Sequence, residues 1–219
     1  IIRMNVTINS FVVVFGSVAR GDSNKNSDLD ILLIESDTDK ANSILEKQDL
    51  PNLPVNYVNY SHDLFKKYYD MGSLFLHHIF EQGVLLSGSE LEWSKYKDQF
   101  KLKNNFNDEI NKIKSDIEVY SDISIFNGMF YSPLANAFPM MKNYCIFTLA
   151  NAGIFEFNKV KCIEKMKASS DAISDFLLLQ SFYDSSVKGL DVDLGVDPYS
   201  IEASLLLQKV YSYISKGKI

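Results

Sequence analysis

Short apolar runs separated by polar turns occupy the first part of the chain. Residues 11–15 (FVVVF) and 31–34 (ILLI) are rich in β-branched side chains and are bounded by turn residues, which is typical of strands. The same criteria predict two further strands, over 55–60 and, at a sheet edge, over 83–88. Apolar positions at helical spacing predict three helices, over 37–48, 61–69 and 74–81.

From residue 106 the apolar period becomes helical and stays so. A first stripe consists of Phe106, Ile110, Ile113, Ile117, Tyr120 and Ile123. Further helices are predicted over 134–154, 157–166, 171–187 and 197–215, the last capped by Asp197 with Pro198 in its first turn. The polar residues 89–105 are interpreted as a joint. The pattern predicts an α+β fold: a small mixed β-sheet domain with flanking helices over 1–95, followed by an all-helical bundle domain over 96–219.

Composition narrows the class of protein. The chain has 219 residues and a net charge of −6 without a basic block, which disfavours nucleic acid as the main partner. No apolar run is long enough to cross a bilayer and no signal peptide is expected before the first strand, so no membrane partner is predicted. Cys145 and Cys162 leave a disulfide open, but reduced core thiols fit better, and the expected location is cytoplasmic.

Residues that could bind a ligand lie at the end of the first predicted strand and at the start of the second. Gly16 lets the backbone approach a ligand closely, and Ser17 offers a hydroxyl and an N–H at the same point. Backbone N–H groups there would favour an anion such as phosphate, above all if a helical turn begins at Val18. Arg20 adds a planar cationic fork suited to phosphate oxygens.

Two carboxylates precede the second strand's apolar run. Asp28 and Asp30 are two residues apart, so on a strand both point to one face. Adjacent carboxylates repel each other and favour a cation between them. Mg²⁺ takes hard oxygen ligands and is usually shared with substrate phosphates, so these residues predict a magnesium site. The alternative is a plain hairpin with a polar loop and two solvated aspartates.

These residues resemble the signature of the DNA polymerase β-like nucleotidyltransferase superfamily, in which Gly-Ser and a loop of about ten residues precede Asp-x-Asp. Here Gly16-Ser17 is followed by ten residues and then Asp28-Leu29-Asp30. The form Gly-Ser-x-x-Arg-Gly over residues 16–21 is similar to that of small bacterial and archaeal members, the kanamycin-nucleotidyltransferase-like enzymes and the MNT antitoxins.

The resemblance implies a nucleotidyltransferase domain with catalytic and metal-binding Asp28 and Asp30 and nucleotide-binding Gly16, Ser17 and Arg20. Such an enzyme transfers a nucleoside monophosphate from a Mg²⁺-bound NTP, with ATP expected, to an acceptor hydroxyl on a small molecule or a protein side chain. A homodimer is left open. Family members usually carry a helix before the first strand, and residues 1–10 leave hardly any room for one.

One position departs from the family pattern. The third strand often carries a third acid that ligates metal or accepts the acceptor's proton, and the best register puts Asn56 there. Asparagine can ligate a metal through its carbonyl oxygen but cannot act as a base. The alternative function is therefore a nucleotide-binding regulatory or antitoxin-like module with weak or lost transfer. His77 and His78 point about 100° apart on a helix and are interpreted as structural.

Overall fold

The computed structural model describes residues 10–217. The chain divides into two compact units, Ile1–Lys103 and Asn104–Ile219. The predicted domains, 1–95 and 96–219, stay a prediction, and a helix over Glu90–Gln99 crosses their proposed boundary. The expectation about a helix before the first strand falls on residues outside the described range.

The first unit is built around a four-stranded mixed sheet. Its strands are β1 (Phe11–Phe15), β2 (Leu29–Ile34), β3 (Val55–Tyr60) and β4 (Val84–Ser87). Its helices are α1 (Gly16–Arg20), α2 (Thr38–Leu45), α3 (His62–Asp70), α4 (Leu74–Gln82) and α5 (Glu90–Gln99). The strand order is β3-β2-β1-β4, in which β2 and β3 are parallel and the other two pairs antiparallel. The predicted fold class, including the mixed sheet and β4 at its edge, is confirmed.

Helices cover both faces of the sheet, which explains why every residue of β1 is buried. On one face Val12, Val14 and Ile31 pack with α2 and with apolar residues of α1. On the other face Phe11 and Leu32 belong to a core that α3, α4 and α5 complete. Alternate residues of β1 and β2 therefore face opposite sides of the sheet and contact different helices.

The segment 89–105, interpreted as a joint, contains a helix that was not predicted, because α5 occupies most of it. Ser89 caps this helix by accepting a hydrogen bond from the backbone N–H of Glu92. Trp93 is buried against Phe11 and Phe80, at ring centroid distances of 5.2 and 5.1 Å. The polar composition of this segment obscures the apolar pattern of the helix, because only Trp93, Tyr96 and Phe100 face the core.

The second unit is helical throughout its regular structure. Its helices are α6 (Asn107–Asp116), α7 (Tyr131–Asn151), α8 (Lys159–Lys165), α9 (Ser170–Ser186) and α10 (Ile201–Lys216), with two 3₁₀ segments, Ile117–Ser121 and Ile123–Phe126. Buried side chains from α7, α8, α9 and α10 form one apolar core. No helix within residues 10–217 combines the length and apolar character needed to cross a membrane.

Two predictions for this unit need correction. The stripe from Phe106 to Ile123 is not one helix, because α6 ends at Asp116 and the backbone tightens into 3₁₀ turns. The last helix begins at Ile201 rather than at Asp197, since Ser200 is its cap and accepts from the N–H of Ala203 at 3.1 Å. Asp197 instead accepts from the N–H of Tyr199, which closes a turn before the helix.

Both cysteines are reduced, as predicted, and both are buried in the core of the helical unit. Cys145 lies on α7 and Cys162 on α8. A hydrogen bond with Cys162 and burial both raise the pKa of the Cys145 thiol. Both cysteines therefore act as small core residues, and the raised pKa keeps the Cys145 thiol protonated.

A buried carboxylate connects α9 with α10. Asp175 is only 6% exposed. It accepts a hydrogen bond from the Tyr213 hydroxyl at 2.7 Å and forms an ion pair with Lys209 at 3.2 Å. Burial and the bond to Asp175 raise the pKa of Tyr213, since both disfavour the phenolate.

We predict that Tyr213→Phe lowers the free energy of unfolding by about 1–2 kcal/mol, because Asp175 loses a hydrogen bond in a buried place. Chemical denaturation measures this. Tyr211→Phe is the control on the same helix, since the Tyr211 hydroxyl bonds Glu118 at an exposed site, and we expect a change under about 0.5 kcal/mol.

The hydrogen bond between Tyr213 and Asp175 also makes the free energy of unfolding depend on pH. The pKa of Tyr213 is higher in the folded state than its ordinary value of about 10. Its stabilising contribution is therefore complete below about pH 10 and is lost as the pH rises through the raised value. Wild type should lose stability above pH 10 faster than Tyr213→Phe, and parallel curves would contradict this role for Tyr213.

Candidate functional site

The turn after β1 is a five-residue helix rather than an open loop. Helix α1 begins at Gly16, two residues before the predicted Val18, and Ser17 lies in its first turn. It ends at Gly21, whose φ is +73°, with hydrogen bonds from Gly21 N–H to Val18 C=O and from Asp22 N–H to Ser17 C=O. This pair of bonds is the Schellman motif, which fixes the backbone of Asp22 against α1.

Asp28 and Asp30 lie where β2 begins. Leu29 between them is buried, whereas both aspartates are half-buried, an alternation typical of a strand whose alternate residues share one face. Asp30 pairs with Phe15 of β1 on one side and with Asn56 of β3 on the other. The side chains of Asn56, Asp30 and Phe15 therefore form a row across three strands, immediately before Gly16.

Gly16 brings the α1 turn against this row. Its φ is +72°, a left-handed conformation that glycine adopts readily. A Cβ added at Gly16 would collide with Oδ2 of Asp30. The absence of a side chain at Gly16 is thus what lets the Gly-Ser turn and the Asp30 carboxylate occupy the same place.

Asn56 interacts directly with Asp30. Its Nδ2 donates a hydrogen bond to Asp30 Oδ1 over 2.9 Å. The register proposed from sequence therefore agrees with the structure, which places Asn56 beside Asp30. An amide at this point stabilises the Asp30 carboxylate through a hydrogen bond, where a third carboxylate would repel it.

The Arg20 guanidinium is held on two sides. Its Nε donates to Asp22 Oδ2 at 3.2 Å, and Nη2 forms an ion pair with Asp22 Oδ1 at the same distance. Its Nη1 lies 3.3 Å from His78 Nε2. Since arginine has only donors, Nε2 of His78 is the acceptor in this contact.

The two adjacent histidines of α4 differ in their surroundings. His78 is buried, and its ring lies edge-on to Phe15 at 6.1 Å, so it links the sheet core to Arg20. Burial lowers the pKa of His77, partly opposed by the charge of Glu81. His77 and His78 were both interpreted as structural, and His78 has in addition a direct contact with a predicted site residue.

The donor set suits Mg²⁺ that is shared with a ligand. Asp28 and Asp30 offer hard carboxylate oxygens on one face, and Mg²⁺ needs only one or two carboxylates when phosphates complete its shell. Among residues 10–217, no group of three or more His, Cys, Asp or Glu side chains is arranged to hold a metal. A metal held here would depend on its ligand for most of its coordination.

The structure brings Gly16 and Asp30 together, and Asp28 immediately precedes β2, two residues before Asp30. Arg20 joins α1 to α4 through His78, and Asp22 completes its surroundings. Asp22 was not singled out from sequence. The signal was present in Arg20-Gly21-Asp22, because a glycine that ends a helix turns the next residue back toward the last turn.

Comparison with known proteins supports the resemblance over the first unit. Residues 2–92 match the family model described as Polymerase beta, Nucleotidyltransferase, and this segment contains all five predicted site residues. The match spans less than half of the 219-residue chain. The predicted kinship with this superfamily is thus confirmed for the segment that carries the motif.

A solved structure described as "Crystal structure of the toxin-antitoxin with AMP-PNP" is also similar, at 22% identity. The similarity covers 44% of this chain and 75% of that chain, with a TM-score of 0.28, too low to support a conclusion about this protein. A search of curated proteins gave no match.

We predict that Gly16→Ala destabilises the protein by more than Gly21→Ala. Both positions have a φ near +70°, but only a Cβ at Gly16 meets Asp30, whereas a Cβ at Gly21 meets nothing within 4 Å. The left-handed conformation alone costs alanine about 1–2 kcal/mol, which Gly21→Ala measures. Thermal and chemical unfolding should show the extra loss in Gly16→Ala, and equal losses would mean that Asp30 does not need this space.

Proposed function

We propose that this protein is a nucleotidyltransferase that moves a nucleoside monophosphate from a Mg²⁺-bound NTP, with ATP preferred, to an acceptor hydroxyl. The acceptor is a small molecule or a protein side chain. The chain's similarity to the Polymerase beta, Nucleotidyltransferase family over residues 2–92 supports the reaction class. The fold alone does not identify the acceptor.

The observation that carries this proposal is the meeting of Gly16 with Asp30. A turn that would collide with the carboxylate if it carried a Cβ puts the backbone of Gly16 against Asp30, and Ser17 is the next residue of that turn. A plain hairpin loop with solvated aspartates has no need of that approach. The arrangement suits a ligand that carries phosphates and a divalent cation together.

Each residue has a proposed part. Asp28 and Asp30 would hold Mg²⁺, which when bound polarises the phosphate oxygens and neutralises charge on the leaving pyrophosphate. The backbone at Gly16 and the hydroxyl of Ser17 contact phosphate oxygens, because both can donate hydrogen bonds there. Arg20 donates N–H groups to the same phosphates and favours a triphosphate over a monophosphate by charge.

The enzymatic function requires a general base. Transfer to a hydroxyl needs a group that takes the hydroxyl proton, and such a group contributes about 10²–10⁴-fold to the rate. Asn56 lies beside Asp30, where a third acid would be expected, and it cannot accept that proton. This contact favours a second function, a nucleotide-binding regulatory module with weak or lost transfer.

The two functions share nucleotide binding and differ in turnover. Calorimetric titration with ATP and Mg²⁺ tests the shared part. Release of pyrophosphate in the presence of candidate hydroxyl acceptors tests transfer. Binding without pyrophosphate release would favour the regulatory module.

We predict that Asp28→Asn and Asp30→Asn each weaken Mg²⁺-dependent ATP binding more than about tenfold, since each removes a charged ligand. Both carboxylates are half-buried at the start of a strand, so the fold should survive. Asp39→Asn, an exposed acid on α2, is the control and should bind ATP like the wild type. Unchanged affinity in both site variants would refute the metal site.

We predict that Asn56→Asp raises turnover and couples stability to Mg²⁺. The substitution replaces a hydrogen bond to Asp30 with a repulsion between carboxylates, so the melting temperature should fall without Mg²⁺ and recover when Mg²⁺ is added. If the residue gains the role of base, pyrophosphate release should rise by about 10²-fold or more. Brisk wild-type turnover without a gain in Asn56→Asp would place the base elsewhere.

A further inference from the structure

The contacts of Arg20 also determine the orientation of its guanidinium. A guanidinium has five N–H bonds. Nε uses its N–H in the bond to Asp22, and Nη1 uses one of its two in the contact with His78, whereas Nη2 lies within ion-pair distance of Asp22. The three contacts fix the plane of the guanidinium and so the directions of the N–H groups that remain on Nη1 and Nη2.

The two partners of Arg20 are themselves fixed. The Asp22 backbone N–H donates to the Ser17 carbonyl. This bond closes the turn after α1 and so holds the Asp22 carboxylate beside the Arg20 guanidinium. His78 is buried in α4 beside Phe15. The Arg20 and Asp22 side chains are only 15% and 27% exposed, so solvent screens their ion pair less than it would on an open surface.

We propose that Asp22 and His78 are positioning residues, which hold Arg20 so that the remaining N–H groups of Nη1 and Nη2 meet the outer phosphates of a bound triphosphate. The proposal rests on the function proposed above. It assigns to this pair the preference for triphosphates over monophosphates. The opposite arrangement, in which Asp22 occupies the place of a phosphate and must leave, predicts the opposite sign for its removal.

Affinity measurements on the full chain separate these cases. Calorimetric titrations with Mg²⁺-ATP and with AMP are made on wild type, Asp22→Asn, Arg20→Ala and the double variant. We expect Asp22→Asn to weaken ATP binding about three- to tenfold, to leave AMP binding unchanged, and to have no further effect in the Arg20→Ala background. Asp39→Asn serves again as the charge-matched control.

Three results would overturn the proposal. Tighter ATP binding by Asp22→Asn would mean that Asp22 competes with phosphate. Equal losses for ATP and AMP would mean that Asp22 merely supports the fold. A loss that persists in the Arg20→Ala background would show that Asp22 does not act through Arg20.

Two variants of His78 test its part. His78→Gln keeps an acceptor near the place of Nε2, whereas His78→Leu removes the acceptor at similar volume. We expect ATP affinity near that of the wild type for glutamine and a loss of about three- to tenfold for leucine, with comparable melting temperatures. Equal ATP affinity in the two variants would refute a positioning role for His78.

A measurement without nucleotide distinguishes failure of this inference from failure of the proposed function. In NMR spectra of the full chain, the Arg20 Nε–H should exchange slowly with water in the wild type and faster in Asp22→Asn. Equal exchange rates would refute the holding of Arg20. A wild type that binds neither ATP nor AMP would instead refute the proposed function.

Discussion

The register between β1 and β2 is the constraint on which the candidate site depends. Asp30 lies opposite Phe15, one residue before Gly16, and both strands are buried on their inner faces. A slip by one residue would turn Asp30 to the opposite face and force apolar side chains of β2 toward the wrong helices. The apolar core therefore fixes the position of the acidic residues, although those residues contribute little to that core.

The hydrogen bond from Asn56 stabilises the Asp30 carboxylate without adding another charged side chain to the site. Two carboxylates on one face repel each other, and an amide donor beside one of them offsets part of that repulsion. The same amide removes a group that could take a proton. One side chain thus relates two properties, the stability of the metal-free protein and the rate of transfer, and a substitution there changes both.

The sequence predicted the strands of the first unit because their signals are local. The run FVVVF, the Gly-Ser pair and the Asp-x-Asp motif each identify themselves within a few residues, and β3 was predicted over the residues it occupies. Helix α5 was missed because its three core-facing aromatic residues are diluted by charged neighbours on the exposed face. In α10 the signal of Asp197-Pro198 was real, but it belongs to a turn that precedes the capped helix.

The contacts of Arg20 were beyond prediction for a different reason. Its fork could be expected to meet an anion, but the identity of its partners depends on how α4 packs against β1. His78 reaches Arg20 because it lies on the buried side of α4, a fact of tertiary packing that periodicity does not reveal. Asp22, by contrast, is placed by the local geometry of a five-residue helix, and a rule for helix ends could have found it.

The residues that contact one another in the candidate site differ in how far apart they lie along the chain. Gly16, Asp22 and Asp30 belong to a single hairpin, whereas Asn56 is 26 residues from Asp30 and His78 is 58 residues from Arg20. Hairpins form in about 1–10 μs, and contacts over longer separations must first overcome the entropy of closing larger loops. We therefore expect the acidic residues and the Gly-Ser turn to come together early in folding, and the orientation of Arg20 to be set when α4 docks. Local opening of α4 would release the guanidinium and leave the hairpin in place.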